Sequence, residues 1–182
     1  TLHQSNQFGS VLQLSGGAAS VNSAGALNVG ASSLASLNAS AGGDIAQTGV
    51  LQVSGTTTLS TPNGNLVLDL ANTFGALVTA RAAGGSLTSA RDLALALSTP
   101  GTMNVTAGGA LTVSGTAGAL STTSGGATTF GRTVIGDALT IVAGGPVSTA
   151  SGASVSANSI TLTSKENQNI GAALPGEFVL NN

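Results

Sequence analysis

Phenylalanine followed by glycine occurs three times along this chain. Phe8, Phe74 and Phe130 each end the pattern Asn/Thr-x-Phe and each precede a glycine. These three are among only four phenylalanines in the chain, and the step from the second to the third is shorter than the step from the first to the second. A chain that repeats itself at long range is built from stacked units rather than around a single reactive pocket.

The long repeat extends well beyond the phenylalanines. Residues 8–49 align with residues 74–115 without a gap, with 12 identities in 42 positions. Many of the remaining differences exchange one apolar residue for another, as at Val29 and Leu95. We therefore expect one domain over residues 1–182, divided into three super-repeats at about 6–71, 72–127 and 128–182.

A shorter period lies inside the long one and sets the expected fold. Gly-Gly pairs begin at residues 16, 42, 84, 108, 125 and 144, which indicates a unit of roughly 20 residues. Between them, leucines alternate with other residues, as in Leu66, Leu68 and Leu70, which is typical of strands with one buried face. Residues 87–97 are rich in Ala and Leu, yet the leucine spacing of two favours a strand here as well. The sequence predicts an all-β parallel β-helix of roughly nine coils of about 20 residues.

Composition excludes several classes of function. Charged residues make up 5% of the chain and the net charge is −2, while 41% of the residues are apolar, so disorder is disfavoured. The four basic residues stand singly, so no phosphate-binding patch forms and we expect no nucleic-acid partner. These residues are Arg81, Arg91, Arg132 and Lys165. No stretch approaches 18 consecutive apolar residues, so we expect no membrane insertion.

Candidate catalytic and metal-binding residues are few. His3 is the only histidine and there is no cysteine, so a Cys-His pair and the usual zinc sites are excluded. Asp69 and Asp92 lie about one coil apart and could stack as a carboxylate pair, but solvated charges in turns are the favoured interpretation. Gly42-Gly43-Asp44 is the nearest approach to a calcium-binding nonapeptide, and that nonapeptide does not recur. We predict no catalytic, cofactor-binding or metal-binding residue.

Two polar patterns leave alternatives open. Asn38 and Asn104 occupy equivalent places in the aligned segments, so they could form an amide ladder or be solvated separately. Threonine runs such as Thr56-Thr57-Thr58 could form a flat hydroxyl face of the kind found on ice-binding solenoids. Their irregular spacing favours the simpler interpretation that β-branched threonine suits exposed strand positions.

Several segments resemble a known family. Residues 41–61 (AGGDIAQTGVLQVSGTTTLST), 72–75 (NTFG), 103–114 (MNVTAGGALTVS) and 169–180 (NIGAALPGEFVL) resemble the haemagglutinin-type repeats of filamentous haemagglutinin-like exoproteins. Those proteins are the secreted partners of two-partner secretion in Gram-negative bacteria. The resemblance implies a right-handed parallel β-helix, export through a dedicated outer-membrane transporter, and a location outside the cell or on its surface. No signal peptide is visible, and we expect the chain to be a segment of a longer protein.

These observations together predict a structural and adhesive shaft that attaches to glycans or surface proteins of host or neighbouring cells. The stalk of a contact-dependent growth-inhibition protein is one alternative, since its sequence would look the same locally. A carbohydrate-active β-helix enzyme is the other alternative. We also expect the isolated segment to associate end to end with other copies, because a terminal coil presents an unpaired strand edge.

Overall fold

The protein is built from strands that pair in parallel from one coil to the next. The computed structural model describes residues 2–166, 168–169 and 177–181. Within these residues there is no helix, and every strand pairing is parallel. No part of the described chain is therefore a helix long and apolar enough to cross a membrane.

Seventeen strands form one continuous sheet that winds around the core. In chain order they are β1 Leu2–Asn6, β2 Ser15–Ser23, β3 Leu27–Val29, β4 Ser32–Ala41, β5 Ile45–Gln47, β6 Leu51–Val53, β7 Thr57–Phe74, β8 Val78–Ser89, β9 Leu93–Ala107, β10 Leu111–Ser124, β11 Thr128–Ile135, β12 Ala138–Ala143, β13 Val147–Thr149, β14 Val155–Ser156, β15 Ser159–Ser164, β16 Gln168–Asn169 and β17 Glu177–Asn181.

The strand register gives the length of each coil. We call a set of residues that occupy one position on successive coils a column. One column runs through Ala19, Leu37, Thr57, Val78, Leu95, Val113, Phe130 and Thr149. The steps along this column are unequal: the step from Thr57 to Val78 is the longest, and the step from Val78 to Leu95 is among the shortest. The parallel β-solenoid is thus confirmed, with about 8 turns of ~18 residues rather than nine of about 20.

The interior is formed by aliphatic side chains that alternate with exposed ones along each strand. In β9, Leu93 and Leu95 are at most 2% exposed, whereas Ser98 faces solvent. Since successive coils lie about 4.8 Å apart, each inward side chain packs directly on the side chains of its column. Burial of these columns is the main favourable contribution to folding, at about 1.5–3 kcal/mol for each fully buried large aliphatic residue.

Glycine is required where two corners stack closely. Gly126 donates its N–H to the carbonyl oxygen of Gly109 at 3.0 Å, and Gly145 donates to Gly126 at 3.0 Å. A Cβ atom built at Gly125 would overlap the carbonyl oxygen of Gly108. The Gly-Gly pairs that begin at 108, 125 and 144 therefore form one corner of the solenoid, and their spacing does report the coil length.

The segment 87–97 is extended, as predicted, but it is not one strand. Leu87 to Ser89 ends β8, a three-residue corner follows, and β9 begins at Leu93. The alternation of leucines continues on both sides of this corner because both strands present a face to the core.

The recurring phenylalanines do not share one column. Phe74 pairs with Val53, whereas the column of Phe130 passes through Thr57, which lies further along the same coil. The long repeat is likewise not a whole number of coils. It aligns Leu27 with Leu93, but three coils beyond Leu27 the register reaches Gly85. The three super-repeats and the right-handed winding stay predictions.

Candidate functional site

The charged side chains lie outside the core. Each of the nine charged residues between 6 and 166 is exposed. Two of them cap corners: the Asp44 carboxylate accepts a hydrogen bond from the backbone N–H of Asn65 at 2.7 Å, and Asp92 accepts one from Ala110 at 2.8 Å. These two acidic residues therefore hold adjacent coils together.

Asp69 and Asp92 do not stack, so the alternative of a carboxylate pair does not hold. The register pairs Leu68 with Leu87 and Asn72 with Ser89, so Asp69 lies beside the end of β8 and not beside Asp92. Coil lengths differ along the chain, and the separation of these two aspartates in sequence is longer than one coil at this point. His3 and Glu177 lie outside the residues whose side chains are described. Among the described residues, no three His, Cys, Asp or Glu side chains are close enough to hold a metal ion.

Of the two interpretations of Asn38 and Asn104, the amide ladder does not form. Asn38 pairs with Ser20 and Thr58, while Asn104 lies in another column between Ser86 and Ser121. Both asparagines are exposed. The second interpretation, separately solvated asparagines, is the one that agrees with the register.

A buried amide pair occurs instead at Gln47 and Asn72. Asn72 is fully buried, and its Oδ1 accepts hydrogen bonds from Leu51 N at 2.8 Å and Gln47 Nε2 at 3.0 Å. Its Nδ2 donates to Gln47 Oε1 at 2.8 Å and to the Thr88 carbonyl at 3.1 Å. One side chain thus satisfies polar groups in three successive coils, because Gln47, Asn72 and Thr88 each belong to a different coil.

The threonine runs divide between core and surface. Thr57, Thr122 and Thr128 are buried, so the runs do not form a flat hydroxyl face. Exposed or half-exposed threonines do stack at 88, 106 and 123, but Val142 interrupts this column. The structure agrees with the simpler interpretation of threonine as a strand former.

One groove on the described surface runs parallel to the solenoid axis. Its volume is about 660 Å³. Three columns form it, and we call it the axial groove. One edge is polar and consists of Ser33, Gln52 and Thr73. The floor consists of Leu34, Val53 and Phe74, and the other edge of Ala35, Ser54 and Gly75. Gly16 lies at one end of the groove and Arg91 at the other.

The strand register places the groove residues in line. Ser33 pairs with Gln52 and Gln52 with Thr73, so the three polar side chains point outward from consecutive coils. The small residue Gly75 is required at the opposite edge, because a Cβ there would overlap the Ser54 carbonyl oxygen. The floor is nearly closed, with Leu34, Val53 and Phe74 between 2% and 7% exposed. Polar and apolar atoms therefore contribute about equally to the accessible lining, and the polar part comes mainly from the two edges.

Side chains rather than backbone are available to a ligand in this groove. The backbone groups are occupied by pairing between coils, as in Ser54 N to Leu34 O at 3.0 Å and Gly75 N to Val53 O at 2.8 Å. In contrast, the side chains of Ser33, Gln52 and Thr73 make no hydrogen bond with any residue between 6 and 166. The groove can therefore offer hydroxyl and amide groups, but it cannot add a further β-strand.

The electrostatic character of the groove comes from one residue. Arg91 is the only charged residue among the described residues that line it. Two smaller clefts, of about 410 and 380 Å³, have no charged residue in the part of their lining that the structure describes. The sequence predicts no basic patch, and nothing in it indicates that one arginine borders a cavity. The unequal spacings between Ser33, Gln52 and Thr73 identify a column only once the register is known.

Comparison with known proteins relates part of the chain to a repeat family. Residues 16–81 match a family model described as repeats of unknown function (DUF5649). The matched segment contains the axial groove from Gly16 to Gly75 and ends before Arg91. No curated protein and no solved structure matches the chain.

The buried amide pair generates a stability prediction. Replacing Asn72 by alanine leaves the Leu51 N–H and the Gln47 Oε1 without their partners, so we expect a loss of about 3 kcal/mol in the free energy of unfolding. Urea denaturation of both proteins measures this loss. Asn38→Ala is the matched control, because Asn38 is exposed in a strand and its loss should change stability by less than about 0.5 kcal/mol. Equal losses for the two variants would contradict the role given to Asn72.

Proposed function

We propose that this protein is a structural and adhesive shaft segment of a secreted bacterial surface protein. The axial groove is the observation that best supports adhesion, because it repeats neutral hydrogen-bonding side chains on consecutive coils. Such a surface suits glycans or other polar ligands on host or neighbouring cells, with a small contribution from each coil. Export through an outer-membrane two-partner transporter rests on the resemblance of the repeats alone.

A binding role is favoured over cleavage by the chemistry of the groove. Hydrolysis of a glycosidic bond ordinarily requires two carboxyl groups on either side of the bond. The described lining of the axial groove contains a guanidinium and no carboxyl group. We therefore propose attachment to carbohydrate without an enzymatic step.

Adhesion of coated beads to cultured epithelial cells tests this function. Beads that carry the protein should bind the cells, and removal of cell-surface glycans with glycosidases should abolish the binding. A triple variant, Ser33→Ala with Gln52→Ala and Thr73→Ala, should weaken attachment about tenfold, because it removes three hydrogen-bonding groups worth about 0.5 kcal/mol each.

The matched control changes three exposed residues on the same coils but on another face. These are Asn38, Thr58 and Thr79, which form one outward column. Their replacement by alanine should leave adhesion unchanged. Binding that survives glycosidase treatment, or that falls equally in both triple variants, would contradict adhesion through the groove.

We further propose that this segment, when isolated from the longer protein, associates end to end. Ser15 to Ser20 of β2 pair with β4 on one side, while β1 pairs on the other side only at Val21 and Ser23 among the described residues. An open strand edge of this kind is a template for pairing with another chain. Sedimentation velocity should show dimers and longer species as concentration rises, and Ala18→Lys should reduce them because lysine opposes edge pairing. A wild-type protein that stays monomeric at all concentrations would refute this association.

A further inference from the structure

Arg91 places a positive charge at only one end of the axial groove. The groove extends from Gly16 along the single column of Leu34, Val53 and Phe74 to Arg91. This distance is four coil steps. At about 4.8 Å for each step, its length is about 19 Å. A ligand that fills it is therefore extended, and only the portion at one end lies near a positive charge.

Among the described residues, Arg91 forms no ion pair with the neighbouring Asp92. Asp92 follows Arg91 directly, but its carboxylate bonds to the backbone N–H of Ala110 at 2.8 Å. Ala110 belongs to the following coil, whereas the groove lies on the side of the preceding coils. Among the described residues, the guanidinium is thus the only ionic group that a ligand in the groove would meet.

The occupant must match both parts of this lining. A planar guanidinium binds a carboxylate through two parallel hydrogen bonds, and an arginine in this position selects an anionic group. The neutral edge of Ser33, Gln52 and Thr73 matches a chain of hydroxyl groups. An extended peptide is disfavoured because it would seek backbone partners, and those are already paired between coils.

We propose that the axial groove binds an acidic polysaccharide, with the carboxylate of a uronic acid unit on Arg91 and its neighbouring sugars along Ser33, Gln52 and Thr73. This proposal rests on the glycan-binding role proposed above and specifies the class of glycan. The charge-assisted contact is exposed to solvent, so it adds selectivity between acidic and neutral glycans more than overall affinity.

Two probes that differ only in charge test this inference on the intact protein. One is a homogeneous oligogalacturonate, and the other is the same oligomer with its carboxyl groups converted to methyl esters. Isothermal titration or biolayer interferometry at low salt should show about 5- to 10-fold tighter binding of the acidic probe. Arg91→Gln should abolish this difference, because it removes the charge that distinguishes the two probes.

Arg81→Gln is the matched control, because Arg81 is also exposed but pairs with Ser60 and Ser98 on another face. This variant should keep the full preference for the acidic probe. Equal binding of both probes by the wild type, equal effects of the two arginine variants, or no binding of either probe would each overturn the inference. Bead adhesion that depends on cell glycans would still stand in those cases, so the two proposals fail separately.

Discussion

Hydrogen bonding between successive coils is the interaction on which every other feature of this protein depends. A single coil of ~18 residues cannot enclose a hydrophobic core. When coils stack in parallel, each backbone group finds a partner in the coil above or below, and the inward side chains form continuous apolar columns. Differences in coil length appear as local shifts of the register, as between Thr61 and Asn65 in β7 and between Ala117 and Ala119 in β10.

The amount of structure that the sequence could predict follows from this arrangement. Alternating leucines such as Leu93, Leu95 and Leu97 report the inward face directly, because alternation depends only on the local strand. The Gly-Gly pairs at 108, 125 and 144 report the coil length directly, because close stacking of one corner excludes a side chain.

The residues that pair between adjacent coils could not be predicted from the sequence. Coil lengths vary along a single column, so a fixed period loses the register after two or three coils. For that reason Asn38 and Asn104, which align in sequence, lie in different columns. For the same reason Gln47 and Asn72, far apart in sequence, form the buried amide pair that no alignment suggested. The axial groove could not be predicted from the sequence for the same reason, since its lining comes from five coils.

The functional proposals follow from a surface that is regular, polar and almost without charge. In the proposed function, recognition is distributed along this surface, so that each coil contributes little and attachment results from their sum. Because the surrounding groove is neutral, we expect a single arginine to distinguish acidic from neutral ligands. Asn72 connects stability with this surface, because it lies directly before Thr73 and Phe74 and fixes the coils that carry the groove.

Cysteine cross-linking tests the coil register most directly, since the natural chain contains no cysteine. Thr106 pairs with Thr123, and Thr123 pairs with Val142. Neighbouring positions in a parallel column are about 4.8 Å apart, within the range that a disulfide spans, whereas positions two coils apart exceed it. The account predicts that Thr106→Cys with Thr123→Cys forms an intramolecular disulfide under mild oxidation and that Thr106→Cys with Val142→Cys does not. Efficient cross-linking of the second pair, or none of the first, would contradict the stacked-coil register.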